Sequence, residues 1–331
     1  MSEFQDAYMR IEGGGSIRGV AAELQIPYST LRDNYARWKE DNSGSLVIDH
    51  VPKKEQSLDD ILAEKRSATQ RMYDHMRAIK RIKVRVPVET GQAYGLLMFG
   101  DPHLDTNGCD FVRLEEDLGL LGNGVFGLNI GDITNNWVGR LVAQYANQKT
   151  TRSEAMQLME WFIKRDGWLA HIAGNHDLWN YGTEVLAQLV KGQNVIFAEN
   201  SCARLALVGG GVTCRIHARH EFKGNSQYNT AFGSVKAAYF GDDDHILVMG
   251  HKHVSGETAV YHDKTEVLSR CIALGTYKVF DPYAETGGFR KSNYAPSMLA
   301  IVQPQRQNQN GFVRIFDDPQ EGNDYLQFLR K

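Results

Sequence analysis

The sequence predicts a large α/β domain that follows a small all-α module at the N-terminus. From Ala93 onward, short apolar segments such as AYGLLMF and HILVM alternate with helical patterns, which is typical of α/β domains. The first forty residues instead place their apolar positions at helical spacing. At 331 residues, the chain is also longer than a usual single domain. We therefore expect a catalytic-sized domain with an accessory module.

Composition indicates a cytoplasmic protein without a membrane partner. No apolar run approaches the roughly 18 residues of a membrane span, and the first residues lack the pattern of a secretory signal. The four cysteines form no CxxC pair, which argues against a structural zinc site and a disulfide framework. The formal net charge of -3 identifies no partner, because charge asymmetry between segments is more informative.

Residues 1–40 predict a module that contains two short helices separated by QIPYS. Pro27 suits the start of the second helix, and Ser29 or Thr30 could cap it. The inward-facing positions are Val20, Ala21, Leu24, Ile26, Leu31 and Trp38. The pattern resembles a helix-turn-helix, which implies DNA contacts by the outward-facing residues Tyr28, Ser29, Arg32 and Arg37. A helical hairpin for packing or dimerisation would give nearly the same pattern, so a homo-oligomer is the alternative.

Residues 41–90 are predicted to contain a linker and a basic helix. The linker at 41–55 is rich in Gly, Ser, Pro and charge, and a helix from Ser57 to about Lys83 begins with a capping serine ahead of two acids. Eight Lys or Arg lie between Lys65 and Arg85, against one acid. This run is either a solvated face or a phosphate-backbone contact surface with Arg77, Lys80 and Arg81 as candidates.

Five polar motifs follow predicted strands in the remainder of the chain. They are Asp101-Pro102-His103, Gly131-Asp132, Gly174-Asn175-His176-Asp177, His220 and Gly250-His251-Lys252-His253. Each motif alone is common at strand ends. Their order resembles the calcineurin-like metallophosphoesterase superfamily over about residues 93–280, and we assign residues 91–331 to the catalytic domain. The resemblance implies a four-layer αββα sandwich behind the N-terminal module.

The same resemblance implies a centre for two divalent cations. One site would use Asp101, His103 and His253, and the other Asn175, His220 and His251. Two cations about 3.5–4 Å apart repel, so an anionic ligand must lie between them, and Asp132 is the candidate. Nitrogen and oxygen donors without thiolate favour Mn²⁺, Fe or Zn²⁺, with Mn²⁺ as the first choice.

The resemblance also implies the catalytic roles. A hydroxide that bridges the metals would attack phosphorus, and His176 would stabilise the transition state or protonate the leaving oxygen. Its expected carboxylate partner is the adjacent Asp177 or the nearby Asp105. His217 is an alternative to His220 as a ligand. We predict His220, because it lies at the end of its strand.

Substrate contacts are predicted from residues close to the motifs. Asn136, Trp137 and Arg140 follow the bridging aspartate, and Trp179 follows Asp177, so rings and a guanidinium could flank the scissile phosphate. Core packing is the competing interpretation of both tryptophans. The predicted function is hydrolysis of DNA phosphodiesters. A phosphomonoesterase or protein phosphatase is one alternative, and a DNA-binding regulatory or structural protein with little catalysis is another. The arrangement resembles phosphoesterases of bacteriophages or prophages, which implies the cytoplasm of a bacterial host.

Overall fold

The computed structural model describes residues 3–42, 57–78, 81–180, 182–279 and 294–331. The chain divides into two compact units, Met1–Asp74 and His75–Lys331. Nearly all of the predicted linker at 41–55 lies outside the described residues, as do Lys80 and the side chain of Arg77. Among the described helices, none combines the length and apolar character that a membrane span requires.

The N-terminal unit contains helices α1 (Glu3–Glu12), α2 (Ile17–Glu23) and α3 (Tyr28–Asn42). The hydroxyl of Ser16 caps α2 by accepting from the backbone amide of Gly19. The predicted α2–α3 pair is present, and α1 adds a third helix that the apolar pattern did not reveal. Because α3 begins at Tyr28, Ser29 and Thr30 lie in its first turn and do not cap it. The buried core of the unit is Ala7, Tyr8, Val20, Ala21, Leu31 and Tyr35.

A fourth helix, α4 (Leu58–Ala78), begins after Ser57, whose hydroxyl accepts from the amide of Asp60 as the sequence predicts. Every described side chain from Ser57 to Tyr73 is exposed. The exposed set includes Lys65, Arg66 and Arg71. The described part of the helix is therefore solvated, and its basic side chains are accessible.

The second unit contains two six-stranded sheets. The first sheet has the order β1-β6-β7-β8-β10-β9 and the second has the order β12-β11-β2-β3-β4-β5. The strands are β1 (Ile82–Arg85), β2 (Tyr94–Phe99), β3 (Val125–Asn129), β4 (Trp168–Ile172), β5 (Ile196–Ala198), β6 (Cys202–Gly209), β7 (Val212–Arg219), β8 (Ile246–Met249), β9 (Gly256–His262), β10 (Val267–Ala273), β11 (Ser297–Val302) and β12 (Val313–Phe316). The helices are α5 (Phe111–Gly119), α6 (Arg152–Ile163), α7 (Gly182–Val190), α8 (Phe232–Tyr239) and α9 (Pro319–Arg330), with short 3-10 helices at Gly139–Asn147 and Pro304–Arg306.

The sheets pack face to face, and helices cover both outer faces. Met98 and Leu128 of the second sheet join Leu205 and Ile216 of the first in one buried cluster. A separate cluster buries α5, α6, α7 and α9 against the second sheet, with Phe162 among its members. A third cluster packs α8 on the first sheet. The predicted four-layer αββα sandwich is confirmed.

The start of the sandwich lies before the predicted boundary at residue 91. Strand β1 pairs in parallel with β6, and Ile82 lies opposite Leu205. Arg81, just ahead of β1, forms an ion pair with Asp244, whose carboxylate is fully buried. The segment at 81–85 is therefore part of the sheet and its outer-face ion network.

Parallel pairing defines the edge where the polar motifs lie. Strands β2, β3 and β4 are mutually parallel in the second sheet, and β7 and β8 are parallel in the first. Strands β2 and β8 are fully buried, which explains their uninterrupted apolar sequences. The loops at the carboxyl ends of parallel strands are where α/β sheets bind ligands.

Candidate metal centre

The loops after five strands bring the seven predicted ligands together. Asp101 and His103 follow β2, Asp132 follows β3, and Asn175 follows β4. The first sheet contributes His220 after β7 and the pair His251 and His253 after β8. The contacts among these side chains define two groups.

The first group consists of Asp101, His103 and His253. The Nε2 atoms of His103 and His253 are 3.1 Å apart, and Nε2 of His253 lies 3.1 Å from Oδ2 of Asp101. Both Asp101 and His103 are completely buried. The donor atoms thus converge on one point, in the combination that the sequence predicts.

The second group is built around His220. Its Nε2 lies 3.0 Å from Oδ1 of Asn175, 3.2 Å from Nδ1 of His251 and 3.3 Å from Oδ2 of Asp132. His217 lies elsewhere, with Nδ1 3.0 Å from a carboxylate oxygen of Asp242 and Nε2 3.4 Å from Sγ of Cys202. The structure therefore brings His220 to the cluster and leaves His217 outside it.

Asp132 connects the two groups. Its carboxylate clusters with His220 and His251 on one side and with His103 and His176 on the other, and the residue is 1% exposed. Burial alone would raise its pKa, but His220 and His176 hold the pKa of Asp132 below its ordinary value. An ionised carboxylate therefore lies where two neighbouring cations would need a shared anion.

The donor set fits divalent cations. Nδ1 of His220 lies 2.8 Å from the carbonyl oxygen of Ile130 and donates to it, so the lone pair of Nε2 faces the oxygens of Asn175 and Asp132. Acceptors that face one another need either a proton or a metal cation between them. In the metal-free protein, a proton on Nε2 of His220 fills this role. Burial lowers the pKa of His220, but the carboxylates of Asp132 and Asp101 outweigh burial and raise the pKa to about 10. Metal binding would displace this proton.

The αββα sandwich resembles the calcineurin-like metallophosphoesterase fold that the sequence motifs imply. The sandwich and the order of ligands along it agree with the resemblance found in the sequence. No protein-family model and no curated protein sequence matches the chain.

Several solved structures are similar to this chain at low identity. Vacuolar protein sorting 29 from Cryptosporidium parvum is 15% identical, with a TM-score of 0.35, over 68% of this chain and 96% of that one. A predicted phosphoesterase from Streptococcus pneumoniae is 15% identical, with a TM-score of 0.30, over 68% and 97%. Vps29 from Entamoeba histolytica, complexed with zinc, is 12% identical, with a TM-score of 0.32, over 67% and 97%. These values are too low to assign an activity.

Two glycines of the metallophosphoesterase motifs allow the carboxylates to approach. A β-carbon at residue 174 would overlap Oδ1 of Asp132, and one at residue 250 would overlap Oδ1 of Asp101. Four ligands adopt left-handed backbone conformations, with φ of 45° at His103, 52° at Asp132, 69° at His251 and 53° at His253. Such strain is characteristic of functional sites and persists because the surrounding fold enforces it.

His176 lies beside Asp132 but has a different partner from the one predicted. Its backbone amide donates to Oδ1 of Asp132 at 2.8 Å, and its Nδ1 hydrogen-bonds the carbonyl oxygen of Asn135. Asp105 is connected to His176 through Asn135, because the Asp105 carboxylate accepts a hydrogen bond from the backbone amide of Asn135 at 2.7 Å. The expected direct carboxylate partner of His176 was therefore wrong.

The Asp177 carboxylate, predicted to be a partner of His176, instead bonds backbone amides. Its carboxylate accepts from the backbone amides of Asp132 at 2.7 Å, Gly174 at 2.8 Å and Ile133 at 3.1 Å. Both oxygens therefore accept hydrogen bonds, and the residue is 2% exposed. The three bonds tie the loop after β3 to the loop after β4.

The predicted substrate residues separate into two kinds. The rings of Trp137 and Trp179 lie 5.2 Å and 4.2 Å from the His176 ring, and both are half-buried. Arg140 is exposed at the start of its 3-10 helix. Asn136 instead donates to the carbonyl oxygens of His176 and Trp179 at 3.0 Å and 2.6 Å, so its amide shapes the loop.

Lys278 is a site residue that sequence reasoning missed. It is 7% exposed, and its ammonium lies 5.5 Å from the ring centroid of Trp137. Burial is the largest cause that holds the pKa of His103 well below its usual range, and the positive charge of Lys278 is the second largest. No sequence motif indicates this lysine. Its position depends on contacts between distant segments, such as the hydrogen bond from the backbone amide of Val279 to the carbonyl oxygen of Gly108.

The predicted DNA-contact residues of α3 are on the surface. Tyr28, Ser29, Arg32 and Arg37 are all exposed. The guanidinium carbons of Arg18 and Arg32 lie 5.3 Å and 5.9 Å from the ring centroid of Tyr28. Arg81 does not share this exposure, because Asp244 binds its guanidinium inside the second unit. Arg81 therefore stabilises the fold.

The assignment of His220 makes a direct prediction. His220→Ala should reduce phosphoesterase activity by roughly 100-fold or more, since even residues behind a metal ligand change affinity by 10–100-fold. His217→Ala should retain most of the activity, because its ring faces Cys202 and Asp242. Activity and bound metal would be measured on both variants. The reverse result, with His217→Ala inactive and His220→Ala active, would contradict the ligand assignment.

Proposed function

We propose that this chain is a two-metal phosphodiesterase that cleaves DNA. The observation that carries the proposal is the pair of ligand groups that share the buried Asp132 carboxylate, with His176 beside them. Two divalent cations, with Mn²⁺ as the first candidate, would be held by the seven ligands. When bound, they supply neutralisation of the phosphate oxygens and activation of water for in-line attack.

Backbone and side-chain contacts of the protein orient His176, the proposed acid–base group. The carbonyl of Asn135 accepts from Nδ1 of His176, and Asp105 and Asp177 hold the two loops that meet there. This fixes the tautomer and leaves Nε2, 3.8 Å from Oδ2 of Asp132, as the atom that exchanges a proton with the leaving oxygen.

The surroundings of His176 favour an anionic substrate with flat groups. Lys278 is a nearly buried cation whose ammonium lies 5.5 Å from the Trp137 ring, close to a centre that would hold two metal cations, and cations attract the phosphate of a substrate. Trp137 and Trp179 offer ring surfaces on which unpaired bases could stack. A phosphodiester between nucleotides satisfies both requirements.

The N-terminal unit supports DNA as the substrate. Its α2–α3 pair presents Tyr28 between two guanidinium groups, with Ser29 and Arg37 also exposed. Lys65, Arg66 and Arg71 on α4 add accessible positive charge, which binds phosphate backbones without regard to sequence. A metallophosphoesterase sandwich alone serves many substrates, so this unit is what favours DNA over a phosphoprotein.

A substrate panel tests the proposal. With Mn²⁺, the protein should hydrolyse bis-p-nitrophenyl phosphate faster than p-nitrophenyl phosphate, and it should degrade DNA. EDTA should abolish all of these activities, because the proposed nucleophile is a water that the metals activate. Faster hydrolysis of the monoester, with intact DNA, would instead identify a phosphatase. DNA binding without hydrolysis of any ester would favour a regulatory protein.

Deletion of residues 1–74 should separate binding from hydrolysis. The deletion stops before residue 81, because Arg81 and β1 belong to the sandwich. The shortened protein should bind DNA more weakly at low salt and should hydrolyse bis-p-nitrophenyl phosphate at the full-length rate. In the full-length protein, changing Lys65, Arg66 and Arg71 to alanine should reduce the salt dependence of binding by up to about 0.9 in logarithmic slope per lost duplex phosphate contact. Equal DNA affinity of the full-length and shortened proteins would remove the N-terminal unit from the proposal.

A further inference from the structure

A cavity of about 400 Å³ opens on the outer face of the first sheet, outside the metal centre. It lies at the end of β7, the strand that leads into the ligand His220, and α8 forms another of its walls. Its lining includes Arg204, Arg219, Lys236, Phe222, Phe240 and Asp242. None of these side chains takes part in the metal centre or in the contacts of His176.

Positive charge is in excess in this cavity. Four cationic side chains line it, namely Arg204, Arg219, Lys223 and Lys236, against the two acids Glu221 and Asp242. Asp242 binds Arg204, and Glu221 binds Lys223. The two acids are thus matched to two of the cations. The charges of Arg219 and Lys236 are left to face the cavity, which suits a ligand with phosphate groups.

Exposed aromatic rings accompany the excess charge. Phe240 lines the cavity and is 83% exposed, and its neighbour Tyr239 is 74% exposed. Tyr228, on the loop between Lys223 and α8, is 97% exposed. Bases of unpaired nucleic acid stack on exposed aromatic rings regardless of sequence.

One loop begins at a metal ligand and also lines the cavity. Glu221, Phe222 and Lys223 directly follow the ligand His220 and form a wall of the cavity. Lys252, which lies between the ligands His251 and His253, binds the carbonyl of Gly224 and lies 2.8 Å from Oδ1 of Asn225. The segment 220–225 thus joins the metal ligand His220 to the wall of the cavity along the chain.

We infer that the cavity and Phe240 bind the unpaired strand of a DNA substrate, whose scissile phosphate occupies the metal centre. This inference rests on the proposed function and specifies the substrate as single-stranded. Lys236 and Arg219 contact the phosphate backbone, and Phe240 stacks on a base.

The test uses the double variant Lys236→Ala/Phe240→Ala in the full-length protein. Both side chains are exposed, so the fold should be unaffected, which thermal unfolding would verify. The control is Lys264→Ala/Tyr261→Ala, which removes the same charge and one ring. Both control residues are exposed, and Lys264 lies in the β9–β10 turn at the opposite end of this sheet. Fluorescence anisotropy with a labelled single-stranded oligonucleotide in EDTA would measure dissociation constants without cleavage.

The double variant should bind the oligonucleotide about 10-fold more weakly or worse, since one stacked base is lost. Its salt dependence should decrease by about 0.7 in logarithmic slope for the lost phosphate contact. Hydrolysis of bis-p-nitrophenyl phosphate should be unchanged, and the control should match the unaltered protein. Unchanged affinity of the double variant, or an equal loss with duplex DNA, would overturn the inference. A failure of the proposed function itself would be recognised separately, because the unaltered protein would then not hydrolyse bis-p-nitrophenyl phosphate.

Discussion

The buried carboxylate of Asp132 is the constraint on which the arrangement of this protein depends. It is 1% exposed and lies between two sets of histidine, aspartate and asparagine donors, and two cations held there would repel each other without a shared anion. Holding a charge there requires the two sheets to bring their carboxyl edges together. The αββα sandwich does so, because β3 and β4 carry one side of the centre while β7 and β8 carry the other.

Close backbone packing holds that carboxylate in place. A β-carbon on Gly131 would overlap the backbone of Gly174, and one on Gly174 would overlap Asp132. The Asp177 carboxylate accepts hydrogen bonds from backbone amides of both loops. The same loops position His176, whose backbone amide donates a hydrogen bond to the Asp132 carboxylate. Metal binding and proton transfer therefore share one set of supports. A change in either loop is expected to affect both.

The sequence predicted the parts of this arrangement that are local. The candidate ligands lie within a few residues after apolar strands, so the α/β class and the position of His220 at a strand end could be inferred from short patterns, while the ligand roles were implied by the family resemblance. Contacts between distant segments could not. Arg81 binds Asp244 across 163 positions, Asp177 bonds the amide of Asp132 across 45, and Lys278 reaches Trp137 without any motif. Those residues acquire their roles only from the packing of the folded chain.

The most direct test of a shared Asp132 is anomalous diffraction from crystals of the protein soaked in Mn²⁺. The account predicts two anomalous peaks about 3.5–4 Å apart, with the Asp132 carboxylate between them. Asp101, His103 and His253 should surround one peak, and Asn175, His220 and His251 the other. A single peak, or two peaks that Asp132 does not bridge, would contradict it.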